Sequence, residues 1–471
     1  MTADGNVDPA RLPPELPGLP LLGHALAFMK DPVALVERGQ RRLGNVFSMR
    51  MGGKRIAVLI GPRFHRFFFQ ETDHALSMRE VYRFFIPMLG DKMLLVADPE
   101  EYAAQHAVIL PHFKGPQIAS YIKAMERETR DWLGRLGGSG RFELIDAFGH
   151  LAMFIAIRAF IGDAFREQKG HLFWDAFCDL AAGMDYVLPP NLPLPKFRRR
   201  DRARRVLCRL IQDELDGRRA RSAPKTEYAK EHVKDYVDVL MASRYPDGRP
   251  LPDDVIITIV LGMIFAGFDN TIGHTSWALV QLLQNPAFLD SVRSELTRVL
   301  PGDGALDLET LRELELLEHA LKETERMYPT VPLLLRQALT DCEVEGFRIP
   351  AGWLVLIAPA AAHRLPEVFS HPDVYDPLRF SRERAEDRAT PYSLVGFGGG
   401  ARRCIGQHFA YTEMKVILAL LLRSQDLELA SPSPRPQPGR PNSRPAPPCW
   451  IRYASRRSSP QGERGPTGVS L

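Results

Sequence analysis

The spacing of hydrophobic and polar residues predicts a short strand-rich start followed by a long helical stretch. In the early segment NVFSMRMGGKRIAVLIGP, two apolar runs are separated by Gly52 and Gly53, which predicts a small β-hairpin. From Pro99 to about Gly302, apolar residues recur at three- and four-residue spacing, for example in YIKAMERETRDWLGRL and AMFIAIRAFIGDAF. This periodicity predicts a mostly helical region.

One helix is predicted to be much longer than the others. It begins at Asp253 and Asp254, whose charges suit a helix N-terminus, and runs to Asn285, just before Pro286. At 1.5 Å per residue it would be roughly 50 Å long. Because the stretch IVLGMIFAG is apolar on several faces, this helix must cross the middle of the protein.

The remaining pattern mixes strands and turns with one more helix. After helices that reach Arg326, the short strands EVEGFRIP and WLVLIAP lead to a glycine-rich loop at 396–400, a final helix after Cys404, and a strand CWIRYA. The pattern therefore predicts a mainly α protein with a smaller β region. We expect a Pro-rich N-terminal segment over 1–30, one catalytic domain over 31–455, and a polar, disordered tail over 456–471.

Composition narrows the class of protein. The chain has 471 residues, 45% of them hydrophobic and 25% charged, which suits a large globular core. A net charge of +4, from 61 basic and 57 acidic residues, gives no reason to expect nucleic acid. Prolines and charges interrupt every apolar stretch at the N-terminus, so we expect a soluble, cytoplasmic protein with no transmembrane anchor. The five cysteines form no CxxC pair, which argues against a disulfide framework and a zinc ribbon: Cys178, Cys208, Cys342, Cys404 and Cys449.

The segment FGGGARRCIG, residues 397–406, is the candidate centre of the chemistry. Its cysteine, Cys404, stands between a glycine-rich turn and a helix N-terminus, beside the cations Arg402 and Arg403. Both surroundings favour a thiolate. Glycines such as Gly398 let the backbone approach a flat macrocycle. We therefore expect Cys404 to be an axial iron ligand and the other cysteines to be small apolar side chains.

This segment resembles the haem-binding signature of the cytochrome P450 family, F-x-x-G-x-R-x-C-x-G. All fixed positions are filled here, by Phe397, Gly400, Arg402, Cys404 and Gly406. The resemblance extends from LPGLPLLGH to CWIRYA. It implies the P450 fold with the long central helix crossing haem b, a Cys404 thiolate ligand, and insertion of one oxygen atom from O2 into a lipophilic substrate. Electrons would come from NAD(P)H through external redox partners.

Two further motifs agree with the family. Glu323 and Arg326 in KETER match the family's ExxR helix motif, and Arg379 in YDPLRF resembles the third member of its Glu-Arg-Arg network. Buried charges of this kind persist only when paired. Loss of any one of them is therefore expected to prevent folding.

A closer resemblance is to the sterol 14α-demethylase branch. It rests on the segments YRFFIPMLG, HFKG, PNLPLPKFRRRDRA, YPDGRPLPDD and CIGQHFAYTEMK. It implies that Tyr82, Arg336, Arg402 and His106 hydrogen-bond the haem propionates, with His106 standing where many relatives carry arginine or lysine.

The oxygen-activation segment departs from the family pattern. Relatives read A-G-x-D/E-T, whereas this chain has Ala266, Gly267, Phe268, Asp269, Asn270 and Thr271. Asn270 occupies the position of the threonine whose hydroxyl helps to deliver protons. Its amide can donate a hydrogen bond and orient a water or a substrate group instead. The sterol branch has His-Thr where this chain has Asp-Asn, which favours a different reaction from sterol demethylation.

The substrate and partners follow from the same resemblance. We expect substrate above the Ala266–Gly267 notch, with Phe85 and Leu333 among the apolar walls. No G-x-G-x-x-G fingerprint is present, so a ferredoxin or flavodoxin with its reductase would supply electrons, docking near Arg402, Arg403 and Lys415. We expect a monomer.

Three alternatives stay open at the level of sequence. They are a sterol 14α-demethylase, an enzyme of the same fold that uses peroxide or rearranges its substrate without O2, and a non-catalytic haem-binding sensor. Otherwise we expect hydroxylation or epoxidation of a polyketide, terpenoid or steroid-like molecule.

Overall fold

The computed structural model describes residues 11–185, 188–222, 235–302, 304, 306–431 and 433–456. Within these ranges the chain forms eighteen α-helices and ten β-strands. The helices are α1 (Ala25–Lys30), α2 (Pro32–Leu43), α3 (Pro62–Gln70), α4 (Arg79–Tyr82), α5 (Ile86–Leu89), α6 (Pro99–Ile109), α7 (Pro116–Leu136), α8 (Leu144–Phe160), α9 (Asp163–Ala182), α10 (Pro195–Ser222), α11 (Tyr236–Ala242), α12 (Asp253–Gln284), α13 (Pro286–Val299), α14 (Leu308–Glu313), α15 (Glu315–Met327), α16 (Pro359–Ala362), α17 (Glu386–Ala389) and α18 (Gln407–Ser424).

The strands form three sheets in the described residues. They are β1 (Val46–Met51), β2 (Lys54–Leu59), β3 (Leu76–Ser77), β4 (Ser139–Glu143), β5 (Leu334–Ala338), β6 (Cys342–Val344), β7 (Phe347–Ile349), β8 (Leu354–Ile357), β9 (Gln425–Leu429) and β10 (Trp450–Ser455). The sheet orders are β1-β2-β8-β5-β3, β4-β10-β9 and β6-β7. Strands β2 and β8 pair in parallel, and every other pair is antiparallel. The expectation of a mainly α fold with a smaller β region is confirmed.

The predicted hairpin and its sheet are buried on both faces. Strands β1 and β2 pair from Val46 opposite Leu59 to Met51 opposite Lys54, with Gly52 at φ +58° in the turn. Successive residues of β2 point to opposite faces, so Val58 packs on one hydrophobic cluster and Leu59 on another. Burial on both faces accounts for the continuous apolar run that follows Arg55.

Helix α12 is the central element of the helical region. It spans Asp253–Gln284, as the sequence predicts, and residues 271–282 are all buried. Among the described residues it is the one helix long and apolar enough to span a membrane. The core helix of a soluble protein can be equally long and apolar. Helix α12 packs against α8, α15, α10 and α18 inside the largest hydrophobic cluster.

Strand β4 and the division of the chain are less evident from sequence. Strand β4 lies inside the predicted helical region and pairs with β10, where Glu143 faces Trp450.

The described part of the N-terminal segment is bound to the fold, because the Leu16 N–H donates to the Ser48 carbonyl at 2.7 Å. The boundary at residue 30 stays a prediction. The predicted disordered tail, apart from Arg456, lies outside the described residues.

Candidate functional site

The loop before α18 presents Cys404. Gly398 and Gly400 have φ of +73° and +62°, and a Cβ at Gly400 would lie 2.6 Å from the Phe69 carbonyl oxygen. Only glycine tolerates this backbone conformation and this close approach. The Cys404 N–H donates to the Phe397 carbonyl at 2.9 Å, which closes the loop directly before the helix.

The surroundings of the Cys404 sulfur differ in part from the sequence expectation. Cys404 has accessible surface, although burial among protein atoms raises the pKa of its thiol. Protein atoms surround most of the thiol, and part of its surface stays accessible. The Gly406 amide and Arg403 oppose the rise in that pKa, as expected. Arg402 does not share this role, because its guanidinium pairs with Asp73 at 2.5 Å.

The buried charge network on α15 is complete. Arg326 Nε lies 2.7 Å from Glu323 Oε2, and Arg379 Nε lies 3.0 Å from the same oxygen. All three side chains are fully buried. Arg326 also donates to the carbonyls of His363 and Pro372 at 2.9 and 2.7 Å. The network therefore ties α15 to the irregular segment that precedes the Cys404 loop.

Two of the four expected propionate contacts, Arg336 and Tyr82, lie together. Arg336 is 2% exposed and donates to Thr72 Oγ1 and the Leu335 carbonyl, at 3.3 and 2.8 Å. Burial lowers the Arg336 pKa, and Tyr82 is among the groups that oppose this shift. No carboxylate forms an ion pair with Arg336 in the part of the chain that the structure describes, so it has capacity for an anion.

The other expected propionate residues have different surroundings. Arg402 is committed to Asp73, donates to the Leu94 carbonyl at 2.7 Å, and lies 3.5 Å from the Tyr102 ring centroid. His106 is half-buried with its ring centroid 5.4 Å from that of Tyr102, and burial lowers its pKa. The positive charge of Arg402 is therefore already neutralised by Asp73 before any haem propionate binds.

Helix α12 carries an open notch on the side of the Cys404 loop. Ala266 and Gly267 are exposed, and a Cβ built at Gly267 would meet no atom within 4 Å. Two turns further on, the His274 ring centroid lies 6.3 Å from that of Phe397. A flat macrocycle with one thiolate ligand and anionic edges matches this donor set: a sulfur, a buried arginine and a helix without side chains in the way. The residues present therefore fit haem.

Asp269 and Asn270 of α12 both bind the C-terminal loop. Asp269 pairs with Arg440, and its other oxygen lies 3.0 Å from Arg444 Nη1. Asn270 Nδ2 donates to the Ala266 carbonyl at 2.8 Å, and its Oδ1 accepts from Asn442 at 3.0 Å. One Asn270 amide hydrogen is left for another acceptor.

The predicted third member of this group, Thr271, is buried within α12. Its carbonyl accepts from the Thr275 hydroxyl at 2.7 Å. The Thr271 carbonyl is therefore bonded within α12, whereas Asn270 has one partner in α12 and one in the C-terminal loop.

The same loop is fixed against α12 by close backbone approach. A Cβ at Gly273 would lie 2.5 Å from the Ser443 carbonyl oxygen, and Trp277 Nε1 donates to Ser443 Oγ at 3.2 Å. The Ser443 N–H donates to the Thr330 carbonyl at 2.8 Å. The loop thus forms one wall beside the notch.

The proposed pocket residues differ in their surroundings. Phe85 is buried and its ring centroid lies 5.6 Å from that of Phe265 on α12. Leu333 packs instead against the cluster beneath the five-stranded sheet. Phe85 is therefore attached to the helix that carries the notch, and Leu333 to the sheet.

The expected docking residues for a redox partner are only partly available. Arg403 is exposed, with its Nε 3.1 Å from Gln407 Oε1. Lys415 is buried, and its ammonium contacts Glu318 Oε2 at 2.7 Å and the Leu311 carbonyl at 2.8 Å. The prediction that Lys415 is a docking residue was wrong, because this position of α18 faces the core. Arg402 also fails as a docking residue, because its side chain is 4% exposed and is paired with Asp73.

Sequence reasoning missed the distant partners of the expected residues. These are Asp73, Tyr102, Arg440, Asn442, Arg444, Glu325 and Tyr411. Tyr102, for example, donates to the Ala401 carbonyl at 2.7 Å from a position 299 residues away. No local pattern marks such pairs. One of these partners could be noticed in the sequence, because Glu325 adds a second carboxyl group inside the ExxR motif KETER.

A glycine-rich loop with a lone thiol, a three-residue charge network and a notched central helix are together the features of a haem–thiolate protein. A family profile described as "Cytochrome P450" matches residues 13–448. The chain belongs to the cytochrome P450 family.

Curated relatives and a solved structure agree with this assignment. The chain is 33% identical over 414 residues to "Sterol 14alpha-demethylase" of Mycolicibacterium vanbaalenii, covering 87% of this chain and 90% of that protein. It is 33% identical over 436 residues to "Obtusifoliol 14-alpha demethylase" of Triticum aestivum, covering 90% and 94%. The solved structure titled "Retinoic acid bound cyanobacterial CYP120A1" has a TM-score of 0.84 and 25% identity, covering 95% of this chain and 100% of that one.

Proposed function

We propose that this monooxygenase hydroxylates or epoxidises a specialised lipophilic metabolite, such as a polyketide, terpenoid or steroid-like molecule. The observation that carries the proposal is the Asp269–Asn270 pair. It replaces the usual acid–threonine pair beside the open notch, and both of its side chains are bound to the C-terminal loop. A different polar arrangement beside the reacting position suits a different substrate from a sterol 14α-methyl group.

The proposed reaction assigns separate roles to the haem-binding residues and to Asn270. Haem, held by Cys404, supplies O2 activation when bound, and the thiolate increases the electron density available to it. Phe397, Gly398 and Gly406 shape the sulfur's surroundings, and Arg336 with Tyr82 and His106 would hold the anionic edge. Asn270 orients a water or a polar group of the substrate through its remaining amide hydrogen.

The pocket walls favour an apolar ligand. Ala266 and Gly267 leave room beside α12, and Phe85 contributes an aromatic wall through its contact with Phe265. The structural neighbour holds retinoic acid, which is largely hydrocarbon. We propose a monomer in the cytoplasm that receives electrons from a ferredoxin or flavodoxin, with Arg403 as one contact.

Sterol 14α-demethylation is the second candidate, and the relatives named above favour it. The discriminating experiment gives purified enzyme, with a surrogate redox chain, a 14α-methyl sterol such as lanosterol alongside other lipophiles. We expect substrate-induced Soret shifts and product with non-sterol lipophiles. Efficient three-step demethylation of the sterol would overturn the proposed substrate class.

The same assay separates the remaining alternatives. Product formation with O2 and reductant excludes a purely haem-binding sensor. A higher yield with peroxide than with O2 plus reductant would instead identify a peroxide-dependent enzyme.

A further inference from the structure

Glu325 is a fully buried carboxyl directly behind the Cys404 loop. Its Oε1 accepts the Gly396 N–H at 2.9 Å, and its Oε2 accepts the Tyr411 hydroxyl at 2.8 Å. A Cβ at Gly396 would lie 2.4 Å from Glu325 Cγ, so the loop backbone rests against this side chain. Helices α15 and α18 therefore meet the Cys404 loop through one carboxyl group.

The contacts continue from this carboxyl to the sulfur ligand. Gly396 precedes Phe397, whose carbonyl accepts the Cys404 N–H at 2.9 Å. The Tyr411 ring centroid lies 5.3 Å from that of Phe397. Glu325 thus fixes the residue before Phe397, and Tyr411 packs on the Phe397 ring itself.

We propose that Glu325, with Tyr411, is a positioning residue for the Cys404 thiolate, and that its charge contributes to the reduction potential of the bound haem. The inference rests on the family's haem–thiolate chemistry and is independent of the substrate. Among the described residues no cation forms an ion pair with Glu325, and a buried carboxylate of this kind favours the more positively charged, oxidised state of a nearby iron.

The charges around Glu325 support a role near neutral pH. Burial raises its pKa to about 7, against the opposing effects of Tyr411, the Gly396 amide, Lys322 and Arg403. Lys322 is itself paired with Asp387 at 3.4 Å. His363, which accepts the Val395 N–H, stays neutral because burial lowers its pKa to about 3. Glu325 is therefore the group of this set that changes charge in the neutral range.

The first experiment measures how long the thiolate-type Soret band of the ferrous–CO holoenzyme persists. Glu325→Leu leaves the Gly396 N–H buried without an acceptor, so we expect the band to decay about tenfold faster. Tyr411→Phe should show a smaller acceleration. Glu325→Gln keeps an acceptor for Gly396 and should restore wild-type persistence. Glu315→Gln, an exposed carboxyl on the same helix, is the matched control.

The second experiment measures the haem midpoint potential against pH. In the wild type the potential should fall as pH rises through about 7, because Glu325 gains negative charge. In Glu325→Gln this step should be absent, with the difference from wild type confined to the alkaline side. A merely structural role would not produce that pH-dependent difference.

Each outcome decides the proposal. Unchanged band persistence in Glu325→Leu would overturn the positioning role, and a retained pH step in Glu325→Gln would overturn the electrostatic one. If Glu325→Leu does not fold, Tyr411→Phe decides the first point, since wild-type persistence in that variant contradicts the proposal.

Discussion

At the scale of single residues, Cys404 shows how local and distant neighbours divide the control of one side chain. Its loop closes through Phe397, seven residues earlier, whereas the Asp73 partner of Arg402 lies 329 residues away. The local contact fixes the geometry of the sulfur. The distant one removes Arg402 from the electrostatics that the sequence predicts for it, because a paired guanidinium presents little net charge.

Replacing Cys404 tests the central assignment. Cys404→Ala should abolish the thiolate-type ferrous–CO Soret band, because no other described cysteine stands in the same loop. The measurement is the reduced, CO-bound absorption spectrum. Cys449→Ala, which alters a buried cysteine outside that loop, should keep the band. A folded wild type that lacks a thiolate-type band would remove the assignment.

Asn270 offers a second test at this scale. If its amide positions the proton-carrying group, Asn270→Ala should reduce product formed per NAD(P)H consumed by about tenfold, a low value for such a group. Asn270→Thr should retain appreciable coupling, because a hydroxyl can also orient water.

The Asn442 contact of Asn270 allows a matched comparison. Asn442→Ala removes the hydrogen bond to Asn270 Oδ1 and should give part of the same loss in coupling. The double variant should then be no worse than Asn270→Ala, since residues in one network are not additive. Unchanged coupling in Asn270→Ala would contradict the role of its amide.

Residue identity predicts a site residue most directly where a motif is short. The family signature located Cys404, and the ExxR pattern located Glu323 and Arg326, because each is set by a few neighbouring positions. It could not locate Arg440 and Arg444, which reach Asp269 across 171 and 175 residues. The residue pattern of the Pro-rich C-terminal segment does not specify which of its side chains bind α12.

At the scale of elements, periodicity predicted the long helix and the hairpin but not β4. Helix α12 is set by its own apolar positions and by Pro286 at its end, so its bounds follow from local sequence. Strand β4 exists because β10 pairs with it from more than 300 residues away, with Ile451 opposite Phe142. Its own sequence, SGRFE, is a weak strand pattern. Non-local pairing overrides local preference there.

The junction between α15 and the segment before the Cys404 loop yields an element-scale prediction. Glu323→Ala leaves the fully buried Arg326 without a carboxylate, and Arg326→Ala removes one of the two guanidinium groups that neutralise Glu323, at a cost of roughly 3–5 kcal/mol. That is a large share of typical domain stability. We expect insoluble, haem-free protein, measured as haem per polypeptide and soluble yield.

An exposed ion pair on the same helix is the control for that junction. Glu315→Ala breaks the pair with Arg382, whose two side chains are 55% and 85% exposed, and should leave haem content unchanged. Normal haem content in Arg326→Ala would show that the network does not hold the fold together.

At the scale of the whole molecule, buried ionisable groups make stability depend on pH in two opposite ways. Burial lowers the pKa of His65 and His274 to about 4, so their contribution is lost as pH falls from about 6.5. Burial raises the pKa of Glu325 and Glu413 to about 7 and about 8. Their protonated forms are favoured in the folded state, so stability is lost as pH rises from about 4.5 towards those values.

Glu413 gives the clearest test of this balance. It is 3% exposed on α18, and burial alone raises its pKa. Glu413→Gln replaces the neutral carboxyl by a group of the same shape that does not ionise, so it removes the loss between about pH 4.5 and pH 8. The difference in unfolding midpoint between variant and wild type should be small near pH 5 and should grow steadily up to pH 8, the variant being the more stable. Thermal unfolding followed by circular dichroism at several pH values measures it, with Glu315→Gln as the exposed control. A difference that stays constant across this range would mean that Glu413 does not carry a raised pKa in the folded enzyme.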